Sequence, residues 1–161
     1  MVITLNKILL FIFTFLIIEN SFKSNSSHEY NNSSKSYDKY NVTIYRDIWG
    51  VPHIFGDKDE DTAYGLGYAH AEDDFKTIQD ILIAARGDLA KYHGRSVAAN
   101  DYMVKLLKIW DVVEKNYDDG ISEDVIRISE AYADGINHYV SLYPDKAFKG
   151  VFPVEGKDIV A

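Results

Sequence analysis

The residues of this chain whose types could support catalysis or metal binding are five histidines, three adjacent carboxylates and scattered hydroxyl groups. The histidines are His28, His53, His70, His93 and His138. No two of them have the His-x-x-x-His spacing that brings two imidazoles onto one helical face, and the chain has no cysteine to complete a zinc site. We therefore expect no preformed metal site, and we interpret His53 and His70 as structural histidines, hydrogen-bonded within the core.

The three adjacent carboxylates, Glu72, Asp73 and Asp74, are the second candidate for a cation site. Adjacent residues on a helix point about 100° apart, so these side chains are not expected to converge on one ion. We interpret them as solvated or salt-bridged groups. The candidate partners are Arg86 and Arg46.

Covalent catalysis would require a serine, threonine or cysteine beside a base, and no such motif is present. There is no Gly-x-Ser-x-Gly and no Ser-x-x-Lys segment, and the serines concentrate before residue 40. Gly65-Leu66-Gly67 lacks the third glycine of a phosphate-binding loop. The residues alone therefore predict no catalytic, cofactor-binding or metal-binding side chain in this segment.

Length, composition and charge describe a globular domain and exclude several classes of partner. The 161 residues are 47% apolar and 14% aromatic, which is sufficient for one packed core. The net charge of −8, without any basic segment, argues against nucleic acid as a partner. The absence of cysteine excludes disulfides and cysteine-linked lipids.

The N-terminus has the layout of a secretory signal peptide, which we assign to residues 1–21. Lys7 precedes an apolar run from Ile8 to Ile18 that only Thr14 interrupts. A spanning helix needs roughly 20 apolar residues, so we expect export to the periplasm or medium and no stable membrane insertion. An uncleaved anchor is the alternative. Residues 22–40, rich in serine and asparagine, are predicted to be a disordered leader.

A β-hairpin is predicted at the start of the folded region. Val42, Ile44 and Arg46 alternate with other residues in the two-residue period of a strand. A turn at residues 49–52, containing Gly50, leads into a second short strand at residues 53–55. Two strands are marginally stable in water, so we expect this hairpin to complete a larger sheet that lies outside this sequence.

Helices are predicted for the rest of the chain. The first begins in the acidic segment 57–61 and ends at Gly87 or Gly94. Its expected apolar face is Leu66, Phe75, Ile78, Leu82, Ala85 and Leu89. We also expect dense burial of its small residues, which are Gly65, Gly67, Ala69 and Ala71.

Two further long helices follow in the prediction. One runs from about Asn100 to just before Asp118, with an apolar stripe of Met103, Leu106, Leu107, Trp110 and Val113. The next is N-capped by Ser122 and ended by Pro144. Its expected buried face is Val125, Ile128, Tyr132, Ile136 and Tyr139. A last helix is expected to begin near Gly156, and we interpret the chain as truncated at its C-terminus.

Five sequence blocks, in this order and spacing, resemble the start of the penicillin acylase family. They are Val-Thr-Ile-Tyr-Arg-Asp at 42–47, Gly-Val-Pro-His-Ile at 50–54, Tyr-Gly-Leu-Gly-Tyr-Ala-His-Ala-Glu-Asp at 64–73, Ala-Arg-Gly-Asp-Leu-Ala at 85–90 and Ala-Tyr-Ala-Asp-Gly-Ile-Asn at 131–137. Two features look more like the acyl-homoserine-lactone and aculeacin acylases than the penicillin G branch. They are the Ala-Arg-Gly block and the residue after Asp73, which is Asp74 here and not an arginine.

The resemblance implies that residues 41–161 are the α-subunit part of an N-terminal-nucleophile hydrolase with an αββα fold. The chain itself would be mainly α with an N-terminal β-hairpin. In that family an exported precursor cuts itself at a Gly-Ser bond, and the new N-terminal serine attacks an amide. This sequence has no Gly-Ser dipeptide. The resemblance thus implies a β-subunit region of the same precursor as partner, a small acylated amide as substrate, and calcium only in the full-length enzyme of some members.

Two functions follow from these observations. The first is an N-terminal fragment of an amidohydrolase that removes an acyl side chain from an N-acyl homoserine lactone, a lipopeptide or a β-lactam-type amide, and is inert without the β-subunit serine. The alternative is a non-catalytic exported helical binding module, or an acylase remnant. A membrane-anchored binding domain would require the N-terminal run to remain uncleaved.

Overall fold

The computed structural model describes residues 39–161. The predicted signal peptide at 1–21, and the predicted leader up to residue 38, lie outside the described residues. At the end of that leader, Tyr40 is buried, stacks on Tyr64 and donates a hydrogen bond of 2.6 Å to Asp134. Burial, together with this hydrogen bond, raises the pKa of Tyr40 to about 12. Tyr40 therefore belongs to the packed part of the chain.

The described residues form a two-stranded hairpin followed by helices. The elements are β1 (Val42–Arg46), β2 (Pro52–Gly56), α1 (Asp59–Arg86), α2 (Leu89–His93), α3 (Ala98–Leu106), α4 (Ile109–Gly120), α5 (Glu123–Leu142) and α6 (Gly156–Val160), with short 3-10 turns at Arg95–Val97 and Pro144–Lys146. This order confirms a mainly helical chain with an N-terminal hairpin. The rest of the expected αββα arrangement would extend beyond the residues described.

The hairpin is antiparallel, with Ile44 opposite Ile54. Its turn is closed by Asp47, whose Oδ1 accepts hydrogen bonds from the backbone N–H groups of Trp49 at 2.8 Å and Val51 at 3.0 Å. Gly50 has φ +82°, the left-handed conformation that the turn requires and that glycine adopts without strain. The predicted turn is therefore confirmed.

The crossing of α1 and α5 is built on two glycines that let the helix backbones touch. A Cβ on Gly67 would overlap the carbonyl oxygen of Tyr132, and a Cβ on Gly135 would overlap the carbonyl oxygen of Tyr64. Each glycine lies three residues after the tyrosine of its own helix. Two residues before Gly67, and on another side of α1, Gly65 leaves room for side chains of β1 and β2. The dense burial predicted for the small residues of α1 is confirmed.

The main core lies between α1, α5 and the segment that leads into α6. Its buried side chains include Phe75, Leu82, Ile83, Ile136, Tyr139, Val151 and Val154. Gln79 is 2% exposed and both ends of its amide are used: Oε1 accepts from Phe148 N–H at 2.6 Å, and Nε2 donates to the Lys146 carbonyl at 3.3 Å. A buried amide on α1 therefore fixes the chain after α5.

The single helix predicted from about Asn100 is wrong, because the chain breaks it into α3 and α4. Lys108 has φ +52°, a left-handed conformation that ends the first helix before the second begins. The predicted stripe is also exposed at Met103, Leu106 and Leu107, and the buried residue of α3 is Val104, which packs against Gly87. Periodic spacing revealed an apolar face but not which side of α3 meets α1.

In α5 the predicted start is confirmed and the predicted face is correct only in its second half. Ser122 Oγ accepts from Val125 N–H at 3.5 Å, as expected of an N-cap. Ile136 and Tyr139 are buried, whereas Val125 is 43% exposed and Ile128 is 36% exposed. Val125 and Ile128 are exposed because α5 crosses α1 closely, and only small residues fit at that contact. The interface uses Ser129, Ala131, Ala133 and Gly135.

Candidate functional site

The carboxylates of α1 meet the hairpin at Arg46. Arg46 Nη2 lies 2.6 Å from Glu72 and 2.8 Å from Asp73, while Nη1 donates to the Gly50 carbonyl at 2.8 Å. Arg46 was one of the two predicted partners and is confirmed. The expectation that adjacent carboxylates cannot converge is wrong for this cation, because both carboxylates reach the same nitrogen, Nη2. The helix α1 departs from helical geometry at the next residue, Asp74 (φ −147°, ψ 63°).

Hydrogen bonds shift the pKa values of two members of this cluster, Arg46 and Asp74. Burial opposes the charge of Arg46, but the hydrogen bonds with Asp73 and Glu72 outweigh it and raise the pKa of Arg46. Asp74, at the kink, accepts from the backbone N–H of Thr77 at 3.3 Å, and hydrogen bonds from the Thr77 side chain and backbone lower the pKa of Asp74. Asp74 therefore caps the second half of α1 and is not a third ligand beside Glu72 and Asp73.

The other predicted partner, Arg86, binds elsewhere. It forms two hydrogen bonds with Asp158, of 2.6 and 2.7 Å, and donates to the Val151 carbonyl at 2.6 Å. The hydrogen bond with Asp158 is the main cause that raises the pKa of Arg86. Asp158 is 9% exposed, so Arg86 neutralises a nearly buried carboxylate at the start of α6. This pair is structural and provides no free nucleophile or base.

The histidine predictions fail in one respect, since neither His53 nor His70 lies in the core. The His53 side chain is 49% exposed and lies 3.4 Å from Asp47, and His70 is exposed with its Nδ1 2.8 Å from the Tyr132 hydroxyl. Among the histidines that the structure describes, the buried one is His138, which is 8% exposed and hydrogen-bonded to the Tyr64 hydroxyl. The burial of His138 could have been predicted from its position three residues after Gly135, which places it on the face of α5 that contacts α1.

The charged side chains of residues 39–161 are paired in separate places, such as Arg46 with Glu72, Arg86 with Asp158 and His93 with Asp80. In that range, no three histidine or acidic side chains are close enough together to hold a metal ion. A surface groove of about 350 Å³ is lined by the paired Arg86 and Asp158 and by Trp110. Among the described residues, none of the helices combines the length and the apolar character needed to cross a bilayer.

The most unusual surface is the side of the hairpin that faces away from α1. Tyr45 and Phe55 are 55% and 63% exposed, and the turn carries Ile48 at 90%, Trp49 at 83% and Val51 at 52%. Arg46 and Asp47 hold these apolar side chains on a fixed turn. A group of exposed apolar residues on a rigid support is typical of a contact surface.

Comparison with known proteins gives a consistent result. The family model for penicillin amidase matches residues 41–157. Acyl-homoserine lactone acylase QuiP from Pseudomonas putida is 30% identical over 111 residues, which are 69% of this chain and 14% of that protein. Penicillin acylase 2 proenzyme from Pseudomonas sp. strain SE83 is 28% identical over 100 residues, which are 62% of this chain and 13% of that protein.

A solved structure agrees with the sequence matches. The thermostable penicillin G acylase from Alcaligenes faecalis superposes with a TM-score of 0.57 at 27% identity, over 74% of this chain and 68% of that one. The matched family model covers the hairpin and the helix crossing, and it ends within α6, one residue before Asp158. The chain spans only 13 to 14% of the length of the two relatives named above. The family-model match and the shared fold show that this chain belongs to the penicillin amidase family.

Proposed function

We propose that this chain is the N-terminal, α-subunit part of an exported amide hydrolase precursor. The observation that supports it most is the hairpin, whose inner face packs on α1 while its outer face and turn remain exposed and apolar. Within the described residues no third strand joins it. Such a hairpin is expected to complete a sheet supplied by a downstream β-subunit region, giving the αββα layers of N-terminal-nucleophile hydrolases.

The chemistry would belong to that downstream region. A serine freed by self-cleavage at a Gly-Ser bond would attack the amide carbonyl with its own α-amine as base. The relatives named above include an acyl-homoserine lactone acylase and a penicillin acylase. The proposed substrates are therefore small acylated amides of the N-acyl homoserine lactone, lipopeptide or β-lactam type. Residues 1–21 would direct export to the periplasm or medium, and any calcium would be bound by the full-length enzyme.

The direct test reads the coding DNA beyond the codon for Ala161. We expect an open frame that contains a Gly-Ser bond after further helical sequence, and a purified product that separates into two chains and releases an acyl group from these amides. Replacing the serine of that bond by alanine is expected to abolish both self-cleavage and hydrolysis. The same serine changed to cysteine is the matched control, because a thiol retains nucleophilic character.

Two results would contradict the proposal. A stop codon after Ala161 with no β-region encoded nearby would leave a non-catalytic exported binding module or a remnant. A complete two-chain product that hydrolyses none of the three amide classes would remove the enzymatic function while leaving the family assignment intact.

A further inference from the structure

The three residues that precede β1 bind both helices of the α1–α5 crossing. Tyr40 is 6% exposed, its ring stacks on Tyr64 of α1 with the ring centres 4.5 Å apart, and its hydroxyl donates to Asp134 of α5 at 2.6 Å. Lys39 Nζ lies 3.0 Å from the same oxygen of Asp134. We call residues 39–41 the N-terminal clip.

The last residue of the clip is held by its backbone as well as by its side chain. The Asn41 backbone N–H donates to Asp61 Oδ1 at 3.1 Å, and Asn41 Nδ2 donates to Asp57 at 2.9 Å. Asp61 is 5% exposed, and its second oxygen accepts from the backbone N–H of Lys58 at 3.2 Å. Removing the clip would therefore leave a nearly buried carboxylate with one hydrogen bond fewer, which is unfavourable.

The contacts at Asp134 differ in strength. The Lys39 side chain is 64% exposed, so its ion pair alone contributes little. Hydrogen bonds with Tyr40 and Asp134 nevertheless raise the pKa of Lys39, so the ammonium remains charged. The buried ring and hydroxyl of Tyr40 supply most of the attachment, because opening the clip exposes the ring and breaks the hydrogen bond together.

We propose that the N-terminal clip sets the limit of proteolytic processing of this chain, so that a protease removes the leader at a bond before Lys39 and leaves residues 39–41 attached. The inference rests on the proposed function, which supplies an exported precursor with a leader to remove. A protease must hold several residues of its substrate in extended form, and burial and hydrogen bonding of those residues prevent this. The contacts of the clip begin inside the leader that composition predicted to run to residue 40.

The first experiment is trypsin digestion of the full-length polypeptide. Trypsin cuts after lysine, and the chain offers a matched pair, Lys35 in the predicted leader and Lys39 in the clip. Each cutting rate is divided by the rate of the same cut in a synthetic peptide of residues 30–45, which corrects for the neighbouring residues. Cleavage after Lys39 is expected to be about 100-fold slower than cleavage after Lys35, since the clip must open first.

A variant tests whether these contacts cause the protection. Asp134→Ala removes the acceptor of Lys39 and Tyr40 and is expected to accelerate the cut after Lys39 about tenfold. Glu123→Gln is the matched control, because it neutralises a carboxylate of α5 that is 95% exposed. A variant that has unfolded is also cut after Arg86, within α1. In that case Tyr40→Phe, which loses only the hydroxyl, gives the readout, with an expected acceleration of about threefold.

The second experiment determines, by mass spectrometry, the N-terminal residue of the protein isolated from the cell that encodes it. A first residue between 22 and 39 supports the proposal. A chain that begins at Tyr40 or later would overturn it, as would equal corrected rates after Lys35 and Lys39 or a folded Asp134→Ala variant that is cut no faster. A chain that keeps Met1 would refute the proposed export alone, and the trypsin rates would still decide whether the clip limits cleavage.

Discussion

At the scale of the residue, Arg46 shows how one side chain connects two elements. Its guanidinium contacts Glu72 and Asp73 on α1 and the Gly50 carbonyl in the hairpin turn. A lysine ammonium is a single point of charge and cannot reach three acceptors that lie in different directions. The side chain is 16% exposed, so these bonds are partly shielded from water. Arg46 therefore fixes the position of the exposed apolar turn relative to the helix.

The variant Arg46→Lys is expected to lower the free energy of unfolding by about 1–3 kcal/mol, since charge is kept but two hydrogen bonds to charged or turn groups are lost. Urea unfolding followed by circular dichroism measures the change. Lys76→Met is the control, because the Lys76–Asp80 pair is a surface pair with Lys76 74% exposed and is expected to contribute little to stability. Equal effects of the two variants would show that Arg46 is an ordinary surface cation.

At the scale of the element, the α1–α5 crossing determines which side chains are buried. Because Gly67 and Gly135 bring the two backbones into contact, the interface favours small side chains, and the larger Val125 and Ile128 remain exposed on α5. A close helix contact of this kind makes helix propensity secondary to steric fit. The same glycine that weakens an isolated helix is required where two helices touch.

The variants Gly67→Ala and Gly135→Ala each test this crossing. Alanine improves helix propensity by about 1 kcal/mol, yet each substitution is expected to destabilise the protein by about 1–3 kcal/mol through overpacking against a carbonyl group that cannot move independently. Thermal unfolding gives the sign. Gly120→Ala is the matched control, because its Cβ would meet only the exposed side chain of Asn116, at 3.0 Å. Stabilisation by both interface variants would refute the close crossing.

Sequence reasoning succeeded where the signal is local and failed where a distant contact decides, and both outcomes have physical causes. The hairpin turn and the N-cap at Ser122 are local, because they depend on a glycine at positive φ and on one side-chain hydrogen bond. The break at Lys108 is not local, since Trp110 donates to the Ala85 carbonyl and draws α4 toward α1. The family resemblance was confirmed. The core position expected for His53 was wrong, because its burial depends on which surface packs against the hairpin, and that surface cannot be known from the local sequence.

At the scale of the whole molecule, the Arg86–Asp158 pair joins the end of α1 to the first turn of α6. Arg86 lies at the last residue of α1, and besides Asp158 it binds the Val151 carbonyl. Asp158 in turn accepts from Glu155 N–H at 2.9 Å and so caps the short α6. One ion pair thus connects residues that are 72 positions apart. The orientation of α6 depends on this contact, together with the packing of α6 on α5.

The variant Arg86→Met is expected to lower the free energy of unfolding by about 3–5 kcal/mol, because it leaves the Asp158 carboxylate nearly buried without a counter-charge. The double variant Arg86→Met/Asp158→Asn should recover part of this loss, since no isolated charge remains while the amide oxygen still accepts from Glu155. Guanidinium unfolding of the two variants measures the difference. A double variant less stable than the single one would refute this account.

The reciprocal contact between the two Tyr-x-x-Gly segments has a consequence for how this sequence can evolve. Tyr64 and Gly67 on α1 face Gly135 and Tyr132 on α5, so a local two-fold axis relates the two halves of the contact. A side chain at either glycine separates both backbones and removes the requirement for glycine at the other. Replacing one glycine alone is therefore expected to cost stability, so we expect the two positions to change together in evolution, although they are 68 residues apart in the chain.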